Sequence, residues 1–336
     1  MVRSLAIGVI ALFPVLSFLL MLVYLDSYKL TRLRTVVAVL AAGGAVAALA
    51  YFVNGSAMRA ADLDTVSYCQ FVAPFVEEAL KALVVLALFR AGRIGFLVDA
   101  AILGFAVGAG FAVVENTAYM AFTPDATLGT WIVRGLGTAL MHGAVTSILA
   151  VLALEVSETR EKPRVLSFVP CLLAAVAMHA AFNNFLLSPL LSTLMTILVL
   201  PALLLEIFQR GGKRVGKWLR SGFDADADML GLINSGQFTE SALGLYLLTL
   251  KARFDGPVVA DILCYIRLHT ELALRAKGLL MMRENGLEVP VDAQTTAKFQ
   301  EIAYLAQNIG KTGLLAIEPM LDMSRKDLWQ LNVLGK

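Results

Sequence analysis

Residues Phe71 to Lys81 read Phe-Val-Ala-Pro-Phe-Val-Glu-Glu-Ala-Leu-Lys, inside an otherwise apolar run from Tyr68 to Phe89. A run of that length crosses a bilayer as a single helix. Charges at membrane depth are costly, face a bundle interior or a polar cavity, and mark function. Glu77 and Lys81 stand four residues apart and share a helix face. Glu78 lies about 100° round from Glu77 and three residues from Lys81.

The rest of the chain supports a membrane setting. Of its 336 residues, 58% are apolar and only 16% charged, against about half and a quarter in soluble domains. The formal net charge of +2 gives no sign of a nucleic-acid partner. The three cysteines, Cys69, Cys171 and Cys264, show no metal-ligand spacing and read as small core residues without a disulfide. The apolar run after Arg3 continues to Leu25, too long for a signal-peptide core, and reads as a retained first helix.

Windows able to span fall at 5–25, 34–53, 68–89, 95–122, 130–154, 166–187 and 190–208. The expected fold is therefore an all-α polytopic bundle of about seven transmembrane helices over residues 1–209. Lys29, Arg32 and Arg34 follow the first helix, Arg90 and Arg93 the third, and Arg160, Lys162 and Arg164 the fifth. A basic cluster from Arg210 to Arg220 follows the seventh. The intervening loops hold Arg59 with Asp62 and Asp64, then Asp125. The positive-inside rule places the N-terminus outside and the C-terminus in the cytoplasm of a cell-membrane protein, with Arg3 and Arg134 in mild dissent.

Residues 210–336 carry both charge signs and helical periodicity, as in Ala242, Leu245, Tyr246 and Thr249, with Gly222, Gly236, Gly256, Gly286 and Gly310 as punctuation. They read as an all-helical cytoplasmic domain able to hold a protein partner or self-associate. His269 there has no companion at ligand spacing and reads as structural.

Three successive helices each present a stripe of small residues carrying a polar group: Gly104, Gly108, Phe111 and Glu115; Gly135, Ala139, His142 and Thr146; Ala175, His179 and Asn183. With the orientation above, these groups and Glu77/Glu78 fall about 6 to 18 Å below the outer boundary. They share one layer. Asp99 sits near the other end of helix four and is expected at the interface, while Asn116 and Asn184 read as interhelical glue. Two chemistries suit the set. In one, zinc held by carboxylate and imidazole activates water with a further Glu as base. In the other, without metal, a buried Glu deprotonates water and His179 with Asn183 stabilises the oxyanion. No Ser or Cys stands beside a His to serve as a nucleophile; Ser147 points elsewhere on its helix.

Glu77-Glu78-x-x-Lys81, Phe111-x-x-x-Glu115, His142 and His179-x-x-x-Asn183, in this order on successive helices, resemble the signature of the PrsW intramembrane proteases. That family is similar in turn to the CAAX prenyl endoproteases and bacteriocin-immunity membrane proteins. The resemblance covers residues 1–208 and implies a glutamate- or metal-dependent endopeptidase making the first cut in a membrane-anchored anti-sigma factor. It implies Glu77 or Glu78 as base, with Lys81 alongside. Glu115 and His142 become its partners, His179 with Asn183 the oxyanion or ligand pair, and Glu115, His142 and His179 the ligands of any zinc. The implied partners are a single-span membrane substrate and lipid. Residues 211–336 depart from the core family.

Buried Glu, His and Lys also build proton relays in transporters, and a cytoplasmic helical domain also suits a scaffold that recruits a partner. A Glu77→Gln, Glu78→Gln double variant separates the three. A protease loses cleavage, a transporter loses ion coupling, and a scaffold keeps partner binding.

Overall fold

The computed structural model describes residues 2–61, 64–158, 165–287, 293–318 and 321. The expected loop charges Asp62, Arg160, Lys162 and Arg164 lie outside them. Among the described residues all regular structure is helical. The chain forms two compact units: Met1–Asp26 with Leu30–Gly212, and Ser27–Lys29 with Lys213–Lys336.

In the first unit α1 is Val2–Leu25 and α2 is Leu33–Ala61; α3 is Ala73–Arg90, led in by a wide π turn at Tyr68–Val72. Helix α4 is Leu97–Phe122. Helix α5 spans Leu128–Glu158 and contains a second π turn at Val133–Thr138. Helix α6 is Val169–Asn183. Helix α7, Pro189–Asn234, gives its residues through Gly212 to the first unit and the remainder to the second. Six of these, α6 counted with the preceding turn from Leu166, are long and apolar enough to cross a membrane. The remaining one, α3, is long enough too, but Glu77, Glu78, Lys81 and Arg90 spoil its composition. That accounts for the difference from the seven expected.

Helix α4 is the hub of the bundle. Every residue from Leu97 to Ala112 is buried, so neighbours must pack on all its sides. Glycine makes that possible. A Cβ at Gly108 would stand 2.1 Å from the carbonyl oxygen of His142, and one at Gly104 would stand 2.7 Å from that of Thr146. Helix α5 therefore lies backbone to backbone against the expected Gly104/Gly108 stripe. On another face, Gly110 would meet the Leu40 carbonyl oxygen at 1.9 Å, and Gly43 of α2 would meet that of Val107 at 2.1 Å. In hydrocarbon, where apolar burial gives no preference for helix over lipid, such close contact is what holds helices together. Asp99 does not reach the site. It is buried and accepts the backbone N–H groups of Gly95 and Phe96 at 2.8 and 2.9 Å, capping α4 from within its own first turn.

The second unit adds α8 (Ala242–Leu250), α9 (Gly256–Glu284) and α10 (Ala293–Ile317). Its core gathers Phe238, Leu247, Leu250, Ile262, Leu272 and Leu305. The periodic stripe Ala242, Leu245, Tyr246 and Thr249 lies mostly outward, and Gly244, Leu247 and Leu250 are the buried residues. Nearly every residue of α8 is apolar, so polarity alone does not choose its face. Gly236, Gly286 and Gly310 do break the chain with positive φ, whereas Gly222 lies inside α7. Lys277 pairs with Asp226 at 2.7 Å beneath the ring of Trp218. His269 is buried and stacks on Tyr265, and burial pulls it down to about 4, a structural imidazole kept neutral. Of the cysteines only Cys171 is buried; Cys69 and Cys264 are exposed, and all three are free.

A methyl group at Gly108 has only the rigid His142 backbone to meet. Gly108→Ala is expected to lower stability by about 1–3 kcal/mol and to shift His142, whereas Gly8→Ala, with nothing within 4 Å, should be tolerated. Thermal unfolding of the two variants in detergent checks the contrast.

Candidate active site

The expected residues meet where α3, α4, α5 and α6 converge. Glu78 and Lys81 are fully buried, one turn apart on α3, and the ammonium donates to Glu78 Oε1 at 2.8 Å. The same ammonium approaches His142 Nδ1 of α5 at 2.8 Å and lies 4.0 Å above the centre of the Phe111 ring from α4. Because an ammonium only donates, Nδ1 of His142 is the acceptor and its proton sits on Nε2. That proton is directed to Glu115 Oε2 of α4, 3.1 Å away. Glu115 in turn pairs with Arg134 Nη2 at 3.2 Å. Phe111-x-x-x-Glu115 thus supplies both a ring under the ammonium and a carboxylate for the imidazole, one helical turn apart.

A second arm runs through α6. His179 Nδ1 lies 2.8 Å from Glu78 Oε1, and since the carboxylate can only accept, the imidazole proton is on Nδ1. Its Nε2 lone pair then faces Glu77 Oε2 at 3.9 Å. A carboxylate that fixes the far nitrogen of an imidazole is the usual support for a metal-binding or water-binding histidine. The other oxygen of Glu77, Oε1, accepts from Asn54 Nδ2 of α2 at 3.2 Å, and Asn54 Oδ1 accepts from the hydroxyl of Tyr68 at 3.1 Å. The two imidazoles meet edge to face with ring centres 4.8 Å apart.

Polar contacts therefore run without a break from Arg134 through Glu115, His142, Lys81 and Glu78 to His179, the cations and carboxylates linked through two neutral imidazoles. One oxygen, Glu78 Oε2, is buried without a hydrogen-bond partner. Glu77, with its side chain 12% exposed, is more open than Glu78.

Glu77, His142 and His179 each bring a donor atom within 4.8 Å of the others. Two imidazoles and one carboxylate are a complement that catalytic zinc takes, leaving a coordination position for water. Glu77 Oε2 and His179 Nε2 offer free lone pairs to such an ion, and His142 joins them only by giving up its contact with Lys81 or Glu115. Glu115, expected among the ligands, is instead turned towards His142 and Arg134.

Asn183 lies apart from this network. Its amide donates to the carbonyl of Cys69 at 3.0 Å, and Asn184 donates to those of Gln70 at 3.4 Å and Ala180 at 2.8 Å. Both side chains thus serve carbonyl groups of the π turn ahead of α3, and π turns widen the ladder and leave such groups displaced. Ser147 donates to the Ala101 carbonyl, away from the site. Asn116 is the expected glue, donating to the Ala11 carbonyl at 2.8 Å, but it also accepts from Arg134 Nε at 3.0 Å.

Three participants escape a reading by motif: Arg134, Asn54 and Tyr68. Arg134 carried a signal, being a cation at an apolar helix end on the side where loops are poor in positive charge. It is a partner of Glu115, packed 3.5 Å over the Tyr119 ring, and so no guide to topology. Tyr68 carried none.

The network predicts a strong stability asymmetry. Lys81→Met leaves Glu78 buried without its ammonium and is expected to cost about 3–5 kcal/mol. The double variant Lys81→Met, Glu78→Gln removes both charges and should recover part of that loss in thermal unfolding.

Residues 31–206 match the model of the PrsW family intramembrane metalloprotease. Neither a curated protein nor a solved structure matches the chain.

Proposed function

This chain belongs to the PrsW family of intramembrane metalloproteases, and on that premise we propose that it hydrolyses a peptide bond in a single-span, membrane-anchored protein, using Glu77 to activate water. Membership selects the protease over the transporter and the scaffold. The observation that carries the reading is the convergence of Glu77, Glu78, Lys81, Glu115, His142 and His179 into one buried network.

The division of labour follows from exposure and valence. Glu78 is fully buried, and its Oε1 is committed to Lys81 and His179, so it orients rather than reacts. Glu77 keeps Oε2 directed at the His179 lone pair, and a water between these two acceptors can donate a proton to each. Glu77 takes a proton from that water as its oxygen attacks the scissile carbonyl carbon. The tetrahedral intermediate then expels the amine, which receives the proton back from Glu77 as the C–N bond breaks. Lys81 and Arg134 hold Glu78 and Glu115 in place through their ion pairs, which fixes the two imidazoles beside Glu77. Were zinc bound, Glu77 and His179 would hold it, joined by His142 once released from Lys81. The ion would lower the pKa of its water and polarise the carbonyl, and proton transfer to Glu77 belongs to the route without metal.

The substrate is an anti-sigma-factor-like protein, cut first near the outer face of its helix. The N-terminus is outside and the C-terminus cytoplasmic. Support comes from the loop charges Lys29, Arg32, Arg34, Arg90 and Arg93, set against the acidic Asp64 and Asp125 of the opposite loops. The second unit then lies in the cytoplasm, placed to receive a protein partner or a second copy.

The purified protein should be assayed in detergent on single-span membrane proteins of its host. Glu77→Gln and His179→Ala are each expected to lower cleavage by about 10²–10⁴-fold. Loss of activity on chelation, restored by zinc, assigns the metal route, and indifference to the chelator assigns glutamate alone. Cleavage surviving in both variants would overturn the assignment of the site.

A further inference from the structure

We propose that Tyr68, acting through Asn54, is a positioning residue for Glu77. The proposal rests on the reading of Glu77 as the water-activating carboxylate, and it adds two residues from outside the motif helices.

Three observations carry it. Tyr68 is 2% exposed, and its hydroxyl donates to Asn54 Oδ1 at 3.1 Å. With that oxygen occupied, the amide presents its NH₂ end to Glu77 Oε1, at 3.2 Å. The amide is thereby tied at both ends, and Glu77, restrained through one oxygen, keeps the other aimed at His179 Nε2. A carboxylate free to rotate would offer either oxygen in either direction, and catalytic geometry tolerates little such freedom.

The third observation is the π turn itself. Tyr68 and Glu77 are nine residues apart, which on an unbroken α-helix places them about 180° from each other. The wide turn at Tyr68–Val72 takes up one extra residue, and with it about 100° of rotation. Tyr68 is thereby swung towards the side of Glu77, facing Asn54 on α2. Asn183 and Asn184 hold the carbonyls of Cys69 and Gln70 in that turn. Irregular backbone at membrane depth persists only where something satisfies it, and here the result is a hydroxyl delivered to the Asn54 amide that holds Glu77.

The test compares full-length wild type, Tyr68→Phe, Asn54→Leu, the double variant and Glu77→Gln in detergent, on one single-span substrate, with kcat, KM and thermal midpoint measured for each. Tyr68→Phe is expected to lower kcat about tenfold, the scale of one lost positioning hydrogen bond, with KM and thermal midpoint close to wild type. Asn54→Leu should lose more, and the double variant should be no worse than Asn54→Leu alone, because one residue works through the other. A wild-type kcat for Tyr68→Phe overturns the proposal. So do losses that multiply in the double variant, or a kcat loss that merely follows a fall in thermal midpoint. If Glu77→Gln is inactive while Tyr68→Phe is silent, the positioning role alone fails. If Glu77→Gln still cleaves, the reading of Glu77 fails and the proposal with it.

Discussion

A charged group taken into hydrocarbon must find an opposite charge and enough hydrogen bonds to replace its water, and that constraint shapes this bundle. Glu78 and Lys81, both fully buried, are one turn apart on α3 and neutralise each other at 2.8 Å. Neither is satisfied by that pair alone. The second proton of the ammonium goes to His142, and Glu78 Oε1 takes a second donor from His179. Each added group then needs its own partner, and the chain of needs ends at Arg134, which packs on Tyr119 at the edge of the membrane unit. Removing one member leaves a neighbour buried and bare, while removing a matched pair need not.

The network could not close without the glycines of α4. Its partners sit on different helices, and a hydrogen bond of about 2.8 Å tolerates little play between their axes. Gly104 and Gly108 bring α5 against α4 at backbone distance, and the carbonyl seated on Gly108 belongs to His142 itself. The residue whose ring bridges Lys81 and Glu115 is thus positioned by its own main chain. Packing and chemistry share one contact.

Most of this was legible in the residue order. Charges inside an apolar run announce a site whatever the fold, and intervals of three and four put Glu115, His142 and His179 on the faces where they are found. The failures have definite causes. Asn183 continues the His179 stripe correctly, yet its amide serves a π turn, which has no signature in composition. Tyr68 and Arg134 both belong to π turns, so an α-helical wheel rotates each away from the partner it meets. In the second unit, α8 is apolar on nearly every side, and hydropathy alone could not choose its buried face. Asn54 lay just past the expected end of a helix that runs on to Ala61. Local periodicity is visible to a reader of sequence; its interruptions and its tertiary reasons are not.

The composition of α3 has a consequence for how the protein is made. A charged side chain near the middle of a span opposes entry into the bilayer by about 3 kcal/mol, and α3 carries Glu77, Glu78 and Lys81 within one turn and a half. When α3 leaves the ribosome, none of the groups that answer these charges from α4, α5 and α6 has yet been synthesised. Its final seat in the bundle is settled only when the last of them, His179, arrives about a hundred residues later. Until then Glu78 lacks the imidazole it orients and Glu77 lacks the nitrogen it faces.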